Sequence, residues 1–292
     1  MTAPRDTGVI VPVAVLVAAI VSFQGGAALA KSLFPLVGAS GAAALRLMLA
    51  TVMLFIVWRP WRLRPSGREW AALCLYGAAL GLMNFLFYSA LRTIPLGIAV
   101  ALEFTGPLAV AMAASRRRID FLWVTLAAFG IVMLLGVGEA ARPLEPWGVA
   151  CALGAGVFWA LYIVFGQRVG GAHGGPSAAL GMLVGALIIA PIGVAEAGFA
   201  LFSPSLLPVA LGVALLSSAL PYSLEMFALT RLPTRTFGVL MSLDPAFGAL
   251  SGLCFLREHL SAVQWLAIAA IMLASGGSAA MSRVESALQI PE

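Results

Sequence analysis

Apolar residues along this chain come in runs of about twenty, separated by short polar clusters. A run of that length is what an α-helix needs to cross a hydrocarbon core about 30 Å thick. Ten such runs stand out, at about 9–30, 41–58, 70–91, 97–114, 121–138, 147–166, 177–196, 206–229, 236–256 and 262–281. Between them lies ordinary loop punctuation: Arg59-Pro60-Trp61-Arg62, Arg116-Arg117-Arg118, Gly170-Gly171 through Pro176, Ser203-Pro204 and Leu232-Pro233. The pattern predicts an all-α, polytopic membrane protein of ten transmembrane helices. No loop is long enough for a folded soluble domain, so binding belongs within the bundle or at its mouths. The first run has a competing reading: Arg5, an apolar stretch and Ala28-Leu29-Ala30 before Lys31 resemble a cleavable leader. The stretch is long for that role, and Gln24-Gly25-Gly26 interrupts it with polar and small groups that suit a bundle helix.

Composition agrees with this class. Of 292 residues, 62% are apolar and 10% charged, with a mean hydropathy of +1.03; a soluble chain has about 45–50% and about 25%. The isoelectric point is near 9.6, yet the 17 basic residues are scattered between runs rather than gathered on one face, which argues against a nucleic-acid partner. Their distribution predicts orientation instead, because cytoplasmic loops retain Lys and Arg. A cytoplasmic N-terminus puts Arg5, Arg59, Arg62, Arg64, Arg68, Arg116, Arg117, Arg118, Arg168, Arg231, Arg235 and Arg283 inside. Only Lys31, Arg92, Arg142 and Arg257 fall outside, Arg46 lies within a span, and both termini are cytoplasmic. Cys74, Cys151 and Cys254 each sit in an apolar run and read as small core residues. His173 and His259 fall in different loops, and no cluster has metal-ligand spacing, so neither a metal nor a cofactor is expected.

The chain also repeats itself. Residues 90–111 align without gaps onto 228–249 at an offset of 138, matching Ala90/Ala228, Leu91/Leu229, Pro95/Pro233, Leu102/Leu240, Pro107/Pro245 and Ala111/Ala249. Five spans per copy is an odd number, so the second copy enters the membrane from the opposite side. Two inverted five-helix repeats, at 8–138 and 147–281, are a transporter architecture in which two halves rock around a site near the midplane.

Ionisable groups inside spans mark function by default, since each costs about 2.5–3.5 kcal/mol to insert. Glu103 lies near the middle of the fourth span, one turn before Pro107; Asp244 lies in the ninth, next to Pro245; Glu225 lies in the eighth, about a turn from its cytoplasmic end. Arg46, about a turn into the second, is read as snorkelling to the interface or pairing with Glu103 or Asp244. The acids are candidates for carrying protons or holding a substrate ammonium. Pro107 and Pro245 each remove a backbone donor and free a carbonyl one turn earlier, which lipid tolerates only beside protein or a cavity. Asn84 with Tyr88, Tyr222 with Glu225, and Gln24 with Lys31 share helix faces by their spacing and could line a pathway or join helices. Trp159, deep in the sixth span with Tyr162, is the aromatic expected near a substrate. Trp58, Trp61, Trp70, Trp123, Trp147 and Trp265 read as interfacial anchors. Gly77/Gly81, Gly181/Gly185 and Gly248/Gly252 have the spacing of close helix packing.

Ten spans in inverted halves resemble the EamA branch of the drug/metabolite transporter superfamily. More narrowly, SFQGGAALAKSLFPLVG (22–38), PLGIAVALEFTGPLAVA (95–111) and LPYSLEMFALTRLPTRTFGVLMSLDPAFGALSG (220–252) are similar to bacterial inner-membrane exporters of threonine and homoserine. The resemblance covers about residues 8–281. It implies export of small amino acids from the cytoplasm by proton antiport, with Glu103, Glu225 and Asp244 as the acids in matching motifs. Where this chain has Asp244 those exporters have Glu, so the charge is kept on an arm one methylene shorter. The implied partners are a small amino acid, protons and the lipid bilayer. No ATPase subunit is required, and no GxxxxGK[ST] loop is present to cradle phosphates. Broader metabolite or drug export is the alternative within the same superfamily. An intramembrane enzyme using paired carboxylates is the reading from another class, disfavoured because no Gly-x-Gly-Asp signature occurs.

Overall fold

The computed structural model describes residues 7–113, 120–134, 144–229, 231–232 and 234–281. The expectations for Arg5, Arg116, Arg117, Arg118, Arg142, Pro233 and Arg283, and for the end of the fifth run, lie outside the described residues, as do the side chains of Arg168, His173 and Arg235. The described residues are helical, with no strand among them. In chain order the α-helices are α1 (Thr7–Lys31), α2 (Phe34–Trp58), α3 (Gly67–Ala90), α4 (Leu96–Glu103), α5 (Thr105–Ala113), α6 (Asp120–Leu134) and α7 (Pro146–Ala197). They continue as α8 (Leu207–Ala214), α9 (Leu220–Leu229), α10 (Thr234–Met241), α11 (Asp244–Leu256) and α12 (Ala262–Met281). Seven segments are long and apolar enough to cross a membrane, and three shorter apolar helices accompany them.

Local chemistry starts these helices where they start. Ser66 accepts from the Glu69 amide while the Glu69 carboxylate accepts from the Ser66 amide, a capping box that opens α3. Ser261 and Gln264 make the same reciprocal pair at the head of α12. Glu145 caps α7 through the Gly148 amide, with Pro146 at the first helical position.

The helical stretch around the second run starts at Phe34 rather than 41 and is interrupted by a kink at Gly38, whose backbone (φ 69°, ψ 175°) is not helical. Arg46 lies in the segment after that kink, about two turns beyond it. The loop expected at Gly170 through Pro176 falls within α7, where the chain passes from one membrane-length segment, Pro146–Gly166, to the next, Gly175–Phe202. The path reverses within it. Gly154 meets Leu86 and Gly166 meets Tyr76 going one way along α3; Gly181 meets Tyr76 and Gly185 meets Gly77 and Gly81 on the return.

Packing follows from what lipid withholds. Hydrocarbon gives helices no hydrophobic reason to associate, so small residues that bring backbones together do that work. α2 and α3 pack on α7, α1 on α9 and α11, α4 on α11, and α6 on α12. A Cβ on Gly81 would lie 2.8 Å from the Gly185 Cα, one on Gly97 2.5 Å from the Ala249 Cα, and one on Gly106 would collide with the Gly156 carbonyl. The spaced glycine pairs of α3 and α7 thus pack as expected. Polarity is inverted relative to a soluble protein: Phe121, Leu187, Phe255 and Leu273 face outward while Gln24, Arg46, Asn84, Glu103 and Asp244 are buried. The same surface holds Cys74 and Cys254, which are exposed; only Cys151 is the core residue expected of all three. Trp123 is not a free interfacial anchor either, since its ring lies against Gly277 of α12 with its Nε1 buried. α1 contributes fully buried Leu16, Ala19 and Ala30 to the bundle, as an integral span does.

Substitution of Gly81 by leucine should lower stability by about 1–3 kcal/mol through overpacking against α7. Gly25→Ala, with nothing within 4 Å of the added methyl, should leave it unchanged or higher. Thermal unfolding in detergent compares the two.

Candidate functional site

Three apolar stretches lose helical regularity. Leu96–Val110 breaks at Phe104, between α4 and α5, and Thr236–Leu256 at Ser242-Leu243, between α10 and α11. At the sequence offset of 138, Phe104 stands opposite Ser242 and Pro107 opposite Pro245. Proline accounts for both, since each removes a donor from the turn that fails. The third irregularity is a π-helical turn, Leu215–Ala219, between α8 and α9. Such turns are uncommon and concentrate at functional sites.

The π turn is held from α1 and α2. Ser22 Oγ donates to the Leu216 carbonyl at 2.7 Å. Arg46 Nη2 donates to the Ser217 carbonyl at 2.6 Å, and its Nε to Ser218 Oγ at 3.1 Å. The remaining arm, Nη1, donates to Asn84 Oδ1, and Asn84 in turn donates to the Leu80 carbonyl at 2.8 Å. The guanidinium lies 5.3 Å from the Phe23 ring centre and 5.5 Å from that of Tyr88, within cation–π range. Arg46 is 2% exposed. It does not snorkel, since all its donors are taken up within the bundle, and among the described residues it forms no ion pair with Glu103 or Asp244.

Beside this network is a cavity of about 120 Å³ lined by Glu103, Glu225 and Asp244 together with Gln24, Trp159 and Tyr222. Glu103 ends α4, Asp244 begins α11, and Glu225 comes from α9. Glu103 lies in the field of both Asp244 and Arg46, and Glu225 in that of Asp244. Gln24 Nε2 donates to Asp244 Oδ1 at 2.8 Å. Trp159 stands edge-on to Phe104 at 5.4 Å, which sets the break residue against the cavity wall. Tyr162, also on the wall, stacks on Tyr76 at 4.8 Å with a 3.2 Å contact between their hydroxyls. The geometry suits a small cation: three carboxylates facing a space of about four waters' volume.

A second, larger cavity of about 630 Å³ lies at one end of α1, with Gly25, Leu216 and Glu258 in its wall. At its rim Lys31 pairs with Glu258 at 2.6 Å. The other oxygen of Glu258 accepts from the Leu96 amide at 2.8 Å, tying the start of α4 to the turn after α11.

Most of the residues picked out by sequence converge. Glu103, Glu225, Asp244, Tyr222, Gln24 and Trp159 share the central cavity, with Pro107 and Pro245 just beyond the breaks. Asn84 and Tyr88 do share a face, but that face meets Arg46 rather than the cavity. Sequence reasoning passed over Ser217-Ser218, whose adjacent hydroxyls in an apolar run were the signal for an irregular turn. It also passed over Glu258, an acid on the same predicted side as Lys31, and Tyr76. No group of three His, Cys, Asp or Glu among the described residues forms a metal site.

The EamA-like transporter family matches residues 146–278. The chain is 54% identical over 285 residues to the threonine/homoserine exporter RhtA of Escherichia coli (strain K12), covering 98% of this chain and 97% of that one. It is 55% identical to the protein of the same name from Salmonella typhimurium (strain SL1344), covering 96% and 95%. An uncharacterized transporter, YwfM of Bacillus subtilis (strain 168), is 26% identical over 79% of this chain. One crystal structure at 22% identity superposes with a TM-score of 0.59 over 98% of this chain and all of its own, a likeness of fold.

Arg46→Met should destabilise the protein by on the order of 3 kcal/mol, because it leaves the Ser217 carbonyl and Asn84 Oδ1 buried without a donor. Arg46→Lys should recover less than half, since one ammonium cannot reproduce three forked donors. Melting temperatures of the two variants in detergent check this.

Proposed function

The chain belongs to the EamA-like transporter family, and we propose that it is a secondary exporter of threonine, homoserine or similar small amino acids, driven by exchange for protons. One observation carries the reading: Glu103, Glu225 and Asp244, from three different helices, face one small cavity where two spans are broken. Carboxylates this close repel strongly in a low-dielectric surrounding. Either protons or a substrate ammonium relieve that repulsion, and a site that holds one or the other is an exchanger. The substrate carboxylate is met by helix-end amides at the breaks, as in transporters built on discontinuous helices. Near identity of length and 54–55% identity to threonine/homoserine exporters support the substrate class. The cavity also favours a small substrate over the drug-like alternative, since drug-sized ligands occupy pockets of about 300 Å³ or more. Transport rather than chemistry on a bound substrate is the activity this family membership supports.

The same proposal includes ten spans in two inverted repeats, in a bacterial inner membrane with both termini in the cytoplasm. The seven long and three shorter apolar helices are compatible with ten. Helix pairing supports the inversion. α2 packs on the return limb of α7, α4 on α11 and α6 on α12, each a span and its counterpart five places on. α1 packs on α9 as α3 packs on the outgoing limb of α7, which is the same contact with the halves exchanged.

Purified protein in liposomes should move labelled threonine in response to an imposed pH gradient, with homoserine competing. Glu103→Gln should abolish gradient-driven movement while the protein inserts and melts normally; full activity in that variant would remove Glu103 from the proton path. For topology, fluorescent-protein and alkaline-phosphatase fusions at the C-terminus should report a cytoplasmic location. Phosphatase activity there would overturn the ten-span arrangement.

A further inference from the structure

We propose that Gln24 is the residue that selects hydroxyl-bearing amino acids, its Oε1 accepting the substrate's hydroxyl hydrogen in the central cavity; this rests on the exporter reading above. Gln24 sits two turns before the end of α1, is completely buried, and lines the cavity. Its Nε2 donates to Asp244 Oδ1 at 2.8 Å, which fixes the amide plane and settles which edge is turned away from the acid. That edge carries Oε1, which has no hydrogen-bond partner in the protein. A buried acceptor without a partner is costly, and native proteins keep few of them.

This oxygen is closed off from water, with only the backbone of α11 beside it. The α11 residue opposite it is Gly248, where a Cβ would lie 3.3 Å from Oε1 and 3.1 Å from Val100 Cγ2. Any side chain there would crowd the acceptor. Asp244 and Gly248 are one helical turn apart, so one face of α11 both orients the amide and sets no side chain against its oxygen.

The chemistry of the ligand then assigns the contact by charge. An amino acid's ammonium belongs with the carboxylates of Glu103, Glu225 and Asp244, and its carboxylate with helix-end amides. A neutral amide oxygen is a poor competitor for either charged group and suits a neutral donor. In threonine and homoserine that donor is the hydroxyl, the one group that separates threonine from its isostere valine. Sites that hydrogen-bond a substrate hydroxyl reject analogues lacking it far more strongly than apolar pockets resolve a methylene.

The test compares threonine and valine as competitors of labelled threonine in liposomes containing the full-length protein, with 2-aminobutyrate as a second hydroxyl-free competitor. Wild-type protein should prefer threonine over valine by at least about tenfold. Gln24→Met, close in length but without the acceptor, should bring that ratio to within about threefold, through weaker threonine competition with valine unchanged. Should Gln24→Met fail to fold, as judged by thermal unfolding, Gly248→Ala reads the same ratio, because crowding costs both isosteres alike and the lost hydrogen bond costs only threonine. A ratio unchanged in the folded variant, or a parallel fall for both amino acids, overturns the role of Gln24. Wild-type protein that carries no threonine overturns the exporter reading itself, and this inference with it.

Discussion

In hydrocarbon there is no water to satisfy a backbone amide or carbonyl, so every departure from helical hydrogen bonding has to be repaired from within the protein. This constraint decides where the chain can be irregular. At the break after α4, Thr105 Oγ1 donates to the Leu102 carbonyl at 2.6 Å and the Phe104 amide still reaches the Val100 carbonyl. At the break before α11, Ser242 Oγ donates to the Val239 carbonyl at 2.6 Å and the Leu243 amide tightens onto the Leu240 carbonyl. At the π turn the repair comes from other helices, through Ser22 and Arg46. The breaks after α4 and before α11 lie at the cavity, with Glu103 and Asp244 in its wall, and the π turn is bonded to Arg46 beside it.

Arg46 is therefore more than a buried charge. Its donors are distributed over a backbone carbonyl, a hydroxyl and an amide rather than over the nearby acids. A direct ion pair with Glu103 would neutralise that acid permanently and remove it from exchange. By binding neutral groups instead, the guanidinium lends positive potential to the cavity, where it acts on Glu103 and Tyr222, and leaves the carboxylates free to meet something that comes and goes. Removing the guanidinium would act on fold and field together, since the same side chain holds the π turn.

How much of this was legible in the sequence depends on the length scale of the cause. Hydropathy runs located the helices because burial in lipid acts on every residue of a span. The acids at 103, 225 and 244 stood out because a charge in such a run is expensive, and the two prolines marked the breaks because ring closure acts locally. The kink at Gly38 leaves no mark in hydropathy, because a positive φ at glycine changes direction and not polarity. The reversal between Gly166 and Gly181 falls where the glycines and Pro176 punctuate the sequence. The burial of Arg46 was not legible, because its partners on the π turn and at Asn84 come from distant parts of the chain. The outward positions of Cys74 and Cys254 were hidden because a thiol is apolar enough for either lipid or core. Asn84 and Tyr88 were correctly paired by spacing, but which neighbour that pair meets is a tertiary fact.

The breaks also determine how the cavity can change shape. A span interrupted at mid-depth behaves as two short helices joined at a few residues, and hinge motion is absorbed at such element ends. α4 is the clearest case. Its first amide is held by Glu258, which also binds Lys31 of α1; its last residue is Glu103, in the cavity wall. Between them Gly97 lies directly against Ala249, and Val100 lies against Gly248, so α4 and α11 pack too closely to slide far past one another. The two ends of α4, seven residues apart, are thus held by the Lys31–Glu258 pair and by the cavity wall, and the joint at Phe104 separates this half-helix from α5. The ring of Phe104 abuts Trp159 of α7, so the joint itself bears on a side chain of the cavity wall, and any change of angle at the break has to be accommodated there.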